Sequence, residues 1–115
     1  MQNNEQFGLP IHVIHQLREI FRKYAAIDQV ILYGSRAMGK ARPGSDIDLC
    51  IDSDALTLTE LLAIENEIDD LLFPWKVDLS IRNKIDNPNL LEHINLVGIE
   101  FYRRYNFGGS LGGDR

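Results

Sequence analysis

From Ile11 onward apolar residues return every three or four positions. Val13, Leu17, Ile20 and Tyr24, with Ile14 and Phe21 beside them, draw one stripe. That period predicts an amphipathic helix of about sixteen residues beginning near Pro10. The pattern then changes. Gln29-Val-Ile-Leu-Tyr33 is too short for a helix and rich in strand formers, and it stops at Gly34-Ser35. Asp46-Ile-Asp-Leu-Cys-Ile-Asp52 alternates polar and apolar, the period of a strand with one buried face. Thr57-Leu-Thr-Glu60 fits a capping box and predicts a second helix. Leu58, Leu61, Leu62, Ile68, Leu71 and Leu72 supply its apolar face, and Pro74 ends it. Lys76-Val-Asp-Leu-Ser-Ile81 alternates again and predicts a third strand. Asn87-Pro88 is a helix start, with Asn as cap and Pro in the first turn. Leu90, Ile94, Val97 and Phe101 continue that helix, and Arg103 and Arg104 close it where positive charge suits the dipole. The expectation is an α/β fold: a small three-stranded sheet with helices packed on it.

Length and composition narrow the class. A chain of 115 residues has room for one domain and one modest core. We expect that domain over residues 1–106 and a mobile tail over 107–115, where Gly108, Gly109, Gly112 and Gly113 cluster. A hydrophobic share of 44% suits a globular protein. The net charge of −5 argues against broad binding to nucleic acid backbones, which demands a basic surface. The single cysteine, Cys50, has no internal partner for a disulfide. The first residues lack the layout of a signal peptide, and no apolar run approaches the roughly 20 residues that span a bilayer. A soluble cytoplasmic protein without a membrane partner is the expectation.

The chemistry concentrates between Tyr33 and Asp52. Gly34-Ser35 follows a strand, ten residues intervene, and Asp46-Ile47-Asp48 opens the next strand. Side chains alternate along a strand, so Asp46 and Asp48 share a face while Ile47, Leu49 and Ile51 take the other. Adjacent like charges repel, and a divalent cation such as Mg²⁺ is the economical partner for hard oxygen ligands. On the third strand Asp78 has the matching parity. If the two strands are neighbours, three carboxylates gather and can hold two metal ions about a reacting phosphate. The bare Gly34 lets the backbone approach a triphosphate, to which amides and the Ser35 hydroxyl can donate.

This pattern resembles the DNA polymerase β-like nucleotidyltransferase superfamily, on Gly34-Ser35, Asp46-x-Asp48 and the later Asp78. Gly34-Ser-Arg-Ala-Met-Gly39 with Ser45-Asp-Ile-Asp-Leu49 resembles the minimal nucleotidyltransferases, many encoded beside a HEPN-domain toxin in toxin–antitoxin pairs. The resemblance runs from about Ile11 to Tyr105. It implies a nucleotidyltransferase fold with a mixed sheet, two Mg²⁺ ions and ATP as substrate. It further implies transfer of AMP to a tyrosine of a HEPN-type toxin, with the chain acting as antitoxin. On that resemblance Gly34 and Ser35 bind phosphates, Asp46 and Asp48 bind both metals, and Asp78 binds the catalytic metal and helps deprotonate the attacking hydroxyl. Arg36 is placed to reach phosphate. Met38 departs from the charged residue common in relatives and touches none of these roles.

Plainer readings stand beside each assignment. Gly34-Ser-Arg-Ala-Met-Gly-Lys40 approaches a P-loop, but Ala41 replaces the required hydroxyl and Pro43-Gly44 cuts off the helix that should follow. Asp-x-Asp alone is a common charged strand edge; the glycine turn and Asp78 make it a site. Asp52 reads as a strand-end residue, Cys50 as a small structural cysteine, and Trp75 as packing. His12, His15 and His93 have no matched metal-ligand cluster and read as surface or partner-facing. Tyr102 and Tyr105 suit core better than interface. For the function, two alternatives remain: an antitoxin that neutralises by binding alone, and a transferase acting on an antibiotic-type small molecule. A duplex-holding polymerase requires domains for which 115 residues leave no room.

Overall fold

The computed structural model describes residues 5–104. It opens on a hairpin of two short strands, β1 (Glu5–Gln6) and β2 (Leu9–Pro10). Phe7 and Gly8 turn it with φ of 60° and 73°, the positive pair that a two-residue hairpin turn demands. The helix α1 (Ile11–Arg22) follows at once and buries Val13, Ile14, Leu17, Ile20 and Phe21; it is shorter than expected, and Tyr24 of the expected stripe lies beyond its end. Next come β3 (Gln29–Tyr33) and β4 (Ile47–Asp52), then α2 (Leu58–Asp69). The Thr57 hydroxyl accepts the Glu60 amide at 3.1 Å and the Glu60 carboxylate accepts the Thr57 amide at 2.9 Å, so the capping box forms. That helix ends at Asp69, five residues before Pro74, and buries Ile64 and Ile68. Leu58, Leu62 and Leu72, expected on its apolar face, are exposed. Then β5 (Val77–Ile81) leads through a single 3₁₀ turn to α3 (Pro88–Val97), capped by the Asn87 side chain as expected.

The sheet has four strands rather than three, in the order β5-β4-β3-β6. The additional strand is β6 (Ile99–Arg103), which the apolar spacing had assigned to the last helix. Gly98 makes the break: a Cβ there would lie 2.4 Å from the Ile94 carbonyl oxygen and 2.5 Å from Ile31 Cγ2. The alternation expected of a strand is missing because the ladder to β3 shifts register between Val30 and Ile31. The bulge leaves consecutive Phe101 and Tyr102 both buried, so the pattern reads as neither period. β4 runs antiparallel to β3 and parallel to β5, which makes the sheet mixed.

Helices cover both faces. Val30, Leu32, Ile47, Leu49 and Ile51 join α1 and α2 in the main core. On the opposite face Tyr33, Cys50 and Ile94 form a smaller cluster that Ile85, Leu90 and Val97 of the α3 side close over. Asp48 and Asp78 lie on this second face, opposite each other on β4 and β5.

Candidate active site

Three chain segments meet where β3 ends and β4 and β5 begin. Gly34 takes φ +77°, and a Cβ on it would lie 2.3 Å from Asp48 Oδ2. Glycine is thus demanded twice, by the left-handed backbone and by the close approach. The chain then coils: the Met38 amide donates to the Gly34 carbonyl at 3.2 Å and the Lys40 amide to the Ser35 carbonyl at 2.9 Å. A turn closed by the Ser45 hydroxyl, which accepts the Arg42 amide at 2.9 Å, returns the chain to Asp46.

Asp48 stands opposite Tyr33 on one side and opposite Asp78 on the other. The neighbour relation on which the three-carboxylate site depended therefore holds. Asp48 is half-buried, while Asp46 and Asp78 are exposed at the rim. Burial raises the Asp48 carboxyl above its ordinary value, the charges of Asp78 and Asp46 raise it further, and the Lys76 ammonium opposes them. A set of oxygen donors with this excess of negative charge fits a divalent cation, whose field would reverse the shift. Among the described residues no group of three or more His, Cys, Asp or Glu side chains is gathered closely enough to hold a metal ion as it stands. The fit rests on the donor chemistry of Asp46, Asp48 and Asp78.

Arg36 does not point toward a phosphate. It is 3% exposed, and its guanidinium is engaged by four backbone carbonyls. Nε donates to Asp46 at 3.2 Å, Nη2 to Ser45 at 2.7 Å, and Nη1 to Phe7 and Gly8 at 3.0 and 3.2 Å. Trp75 lies 5.9 Å from its Cζ and donates to the Pro43 carbonyl at 3.1 Å. Together they pin the loop between Gly34 and Asp46 against the N-terminal hairpin. Lys40 and Arg42 are exposed on that loop.

His93 was missed. Its Nε2 accepts the Gly34 amide at 3.3 Å, and its ring meets Tyr33 edge to face with centroids 6.1 Å apart. The one available signal was its place between Leu90 and Val97, at three and four residues, within the buried stripe of α3. His12 and His15 are exposed, as expected. Asp52 lies at the far end of β4, where it accepts from Gln29 Nε2 at 2.7 Å and pairs with Arg82. Cys50 is buried, and desolvation pushes its thiol up to about 11. A concavity of about 750 Å³ lies between α1 and β6 and is lined by Arg18, Arg22 and Arg103 among others. It is remote from the carboxylates, and charge rather than concavity marks the site.

Comparison with known proteins gives the family. Residues 15–106 match the family described as polymerase beta, nucleotidyltransferase. Two proteins of Methanocaldococcus jannaschii, named "Putative protein adenylyltransferase MJ1217" and "Putative protein adenylyltransferase MJ0126", are 34% and 33% identical over 89 residues. Each alignment covers 70% of this chain and 90% of the relative. A chain of a toxin–antitoxin crystal structure with AMP-PNP superposes with a TM-score of 0.65 at 17% identity, covering 79% of this chain and 73% of that one. A chain from the complex of a tri-AMPylated Shewanella oneidensis HEPN toxin with an MNT antitoxin gives 0.61 at 14% identity, covering 82% and 72%. At such identities the structural likeness is one of fold. With the glycine turn, the paired strands and the sequence match all in place, this chain belongs to the polymerase β nucleotidyltransferase family.

Proposed function

We propose that the chain transfers AMP from Mg-ATP to a hydroxyl of a protein partner, a tyrosine of a HEPN-type toxin, and so acts as an antitoxin. The carrying observation is the placement of Asp48, wedged between Gly34 of the turn and Asp78 of the next strand. Repelling carboxylates beside a bare glycine turn stabilise nothing by themselves and suit a metal–triphosphate. Names of the M. jannaschii relatives support a protein acceptor, and the toxin–antitoxin neighbours share the fold.

Asp46, Asp48 and Asp78 would hold Mg²⁺, which supplies charge stabilisation to the attacking and leaving oxygens when bound. The Gly34–Ser35 turn offers its amides and hydroxyl to phosphate oxygens. Asp78, exposed at the rim of β5, takes the proton from the acceptor hydroxyl. The acceptor oxygen bonds to the α-phosphorus as the bond from that phosphorus to the bridging oxygen breaks, and pyrophosphate leaves. The protein contributes position and charge rather than a covalent intermediate. Asp48 is fixed within β4 and Asp46, just before that strand, has its carbonyl held by Arg36, so the ligand set is oriented before nucleotide arrives.

No described helix is long and apolar enough to cross a membrane, which suits a partner met in solution. The test is incubation of the chain with labelled ATP, Mg²⁺ and its co-expressed partner, beside Asp46→Asn/Asp48→Asn. We expect label on the partner with a mass gain of AMP, absent in the double variant. Complex formation without label in either sample would overturn the reading in favour of neutralisation by binding.

A further inference from the structure

We propose that His93 is a positioning residue of the phosphate-binding turn, holding Gly34 in register from α3, the helix on the same face of the sheet as the carboxylates. The proposal rests on the nucleotidyltransferase reading of that turn. Gly34 lies just past the last partner of both its ladders: β3 pairs with β4 as far as Tyr33–Asp48 and with β6 as far as Leu32–Ile99. Its amide therefore has no strand carbonyl to meet, and an amide left unpaired at a half-buried turn is costly. His93 Nε2 accepts it, which places the imidazole hydrogen on Nδ1.

The imidazole is itself held. Ile94, the next residue, is 1% exposed in the cluster with Tyr33 and Cys50, so α3 cannot rotate without breaking that packing. The Tyr33 ring braces His93 edge to face, 81° between planes. The consequence runs to the reacting centre in two contacts. His93 sets the Gly34 backbone, and Gly34 sits so close to Asp48 that any drift of the turn moves the phosphate donors relative to the carboxylates. His93 touches no reacting atom in this arrangement. It aligns the turn, as a supporting residue behind a binding group does.

Two substitutions separate its parts. His93→Phe keeps a ring against Tyr33 and removes the acceptor; His93→Gln restores an acceptor and removes the ring. In the full chain we expect Gly34 amide exchange, followed by NMR, to quicken about fivefold or more in His93→Phe and to return toward the native rate in His93→Gln. In the transfer assay His93→Phe raises KM for Mg-ATP about fivefold to tenfold with kcat within about twofold, and His93→Gln recovers most of the loss. Unchanged Gly34 exchange in His93→Phe, or a Gln variant as impaired as the Phe variant, would overturn the proposal. A native chain that transfers nothing would sink the nucleotidyl-transfer reading alone, and the exchange rates would still decide whether His93 holds the turn.

Discussion

Asp48 carries opposing demands within one side chain. Its carboxyl is raised by burial and by the charges of Asp78 and Asp46, so the ionised form that metal requires is the form the bare protein disfavours. A group with a raised folded pKa favours the folded state most below that pKa and opposes it once ionised. Asp48→Asn should therefore raise stability at neutral pH in the absence of metal. Removing a like-charge cross-strand pair is worth about 0.2–1 kcal/mol, a rise of a few degrees in Tm for a domain of this size. The same variant should lower transfer by about a hundredfold or more, since the charge that binds metal is gone. Thermal melts in chelator, read beside the labelling assay, check both halves. A variant that melts lower while losing activity would show that Asp48 is structural. Gly34 and Asp48 were both legible from spacing, because a glycine after a strand and a carboxylate at fixed parity are local properties. His93 was not: its partner is an amide 59 residues earlier, and only the packing of α3 onto Tyr33 brings them together.

At the scale of elements, the loop between β3 and β4 owes its shape to one buried arginine. The planar guanidinium of Arg36 spreads four hydrogen bonds over carbonyls from two separate stretches of chain, Phe7–Gly8 and Ser45–Asp46. Lysine has the charge but not the fork, and its ammonium tolerates burial poorly. Arg36→Lys should lower stability by about 2–3 kcal/mol, the scale expected when buried carbonyls lose charged donors. It should also weaken Mn²⁺ binding, because the backbone of Asp46 loses its anchor. Urea denaturation and a metal titration measure these; a lysine variant with native stability would remove Arg36 from this role. The family resemblance implied that Arg36 reaches phosphate, whereas its guanidinium is taken up by backbone carbonyls. The N-terminal hairpin that captures it was invisible, its strands being two residues each. β6 was misread for a related reason: a bulge that buries Phe101 beside Tyr102 erases the period on which strand recognition depends.

Across the whole molecule, the helical layer is tied together where Lys23 and Tyr24 after α1 both meet Glu67 of α2. Hydrogen bonds from Lys23 and then Tyr24 hold the Glu67 carboxyl below its ordinary value of 4.5, and the Glu67 bond pushes the Tyr24 hydroxyl up to about 12. A depressed carboxylate adds stability above its unfolded pKa and loses it as pH falls through the folded one. A raised tyrosine adds stability below its ordinary value of 10.0 and loses it as pH rises through about 12. Glu67→Gln should thus cost under about 1 kcal/mol at neutral pH, given how exposed the cluster is. The difference from the native chain should fade below pH 4.5. Urea midpoints from neutral pH down through that range test the claim, and a difference that grows as the pH falls would refute it.

The sequence by itself determined what is local: the amphipathic α1, the capping box of α2 and the Asn87 cap of α3, the strands β3, β4 and β5, and the glycine turn with its aspartates. Each depends on period, parity or a cap within a few residues. The tertiary structure decided what depends on distant partners. Gly98 had to pass Ile31 before α3 could give way to a fourth strand, and β4 had to lie parallel to β5 before Asp48 could face Asp78. The inward turn of Arg36 needed the hairpin carbonyls, and the reach of His93 needed α3 seated on Tyr33. A residue's chemistry is written in its identity, but which atoms it meets is settled only when the sheet and its two helical layers close.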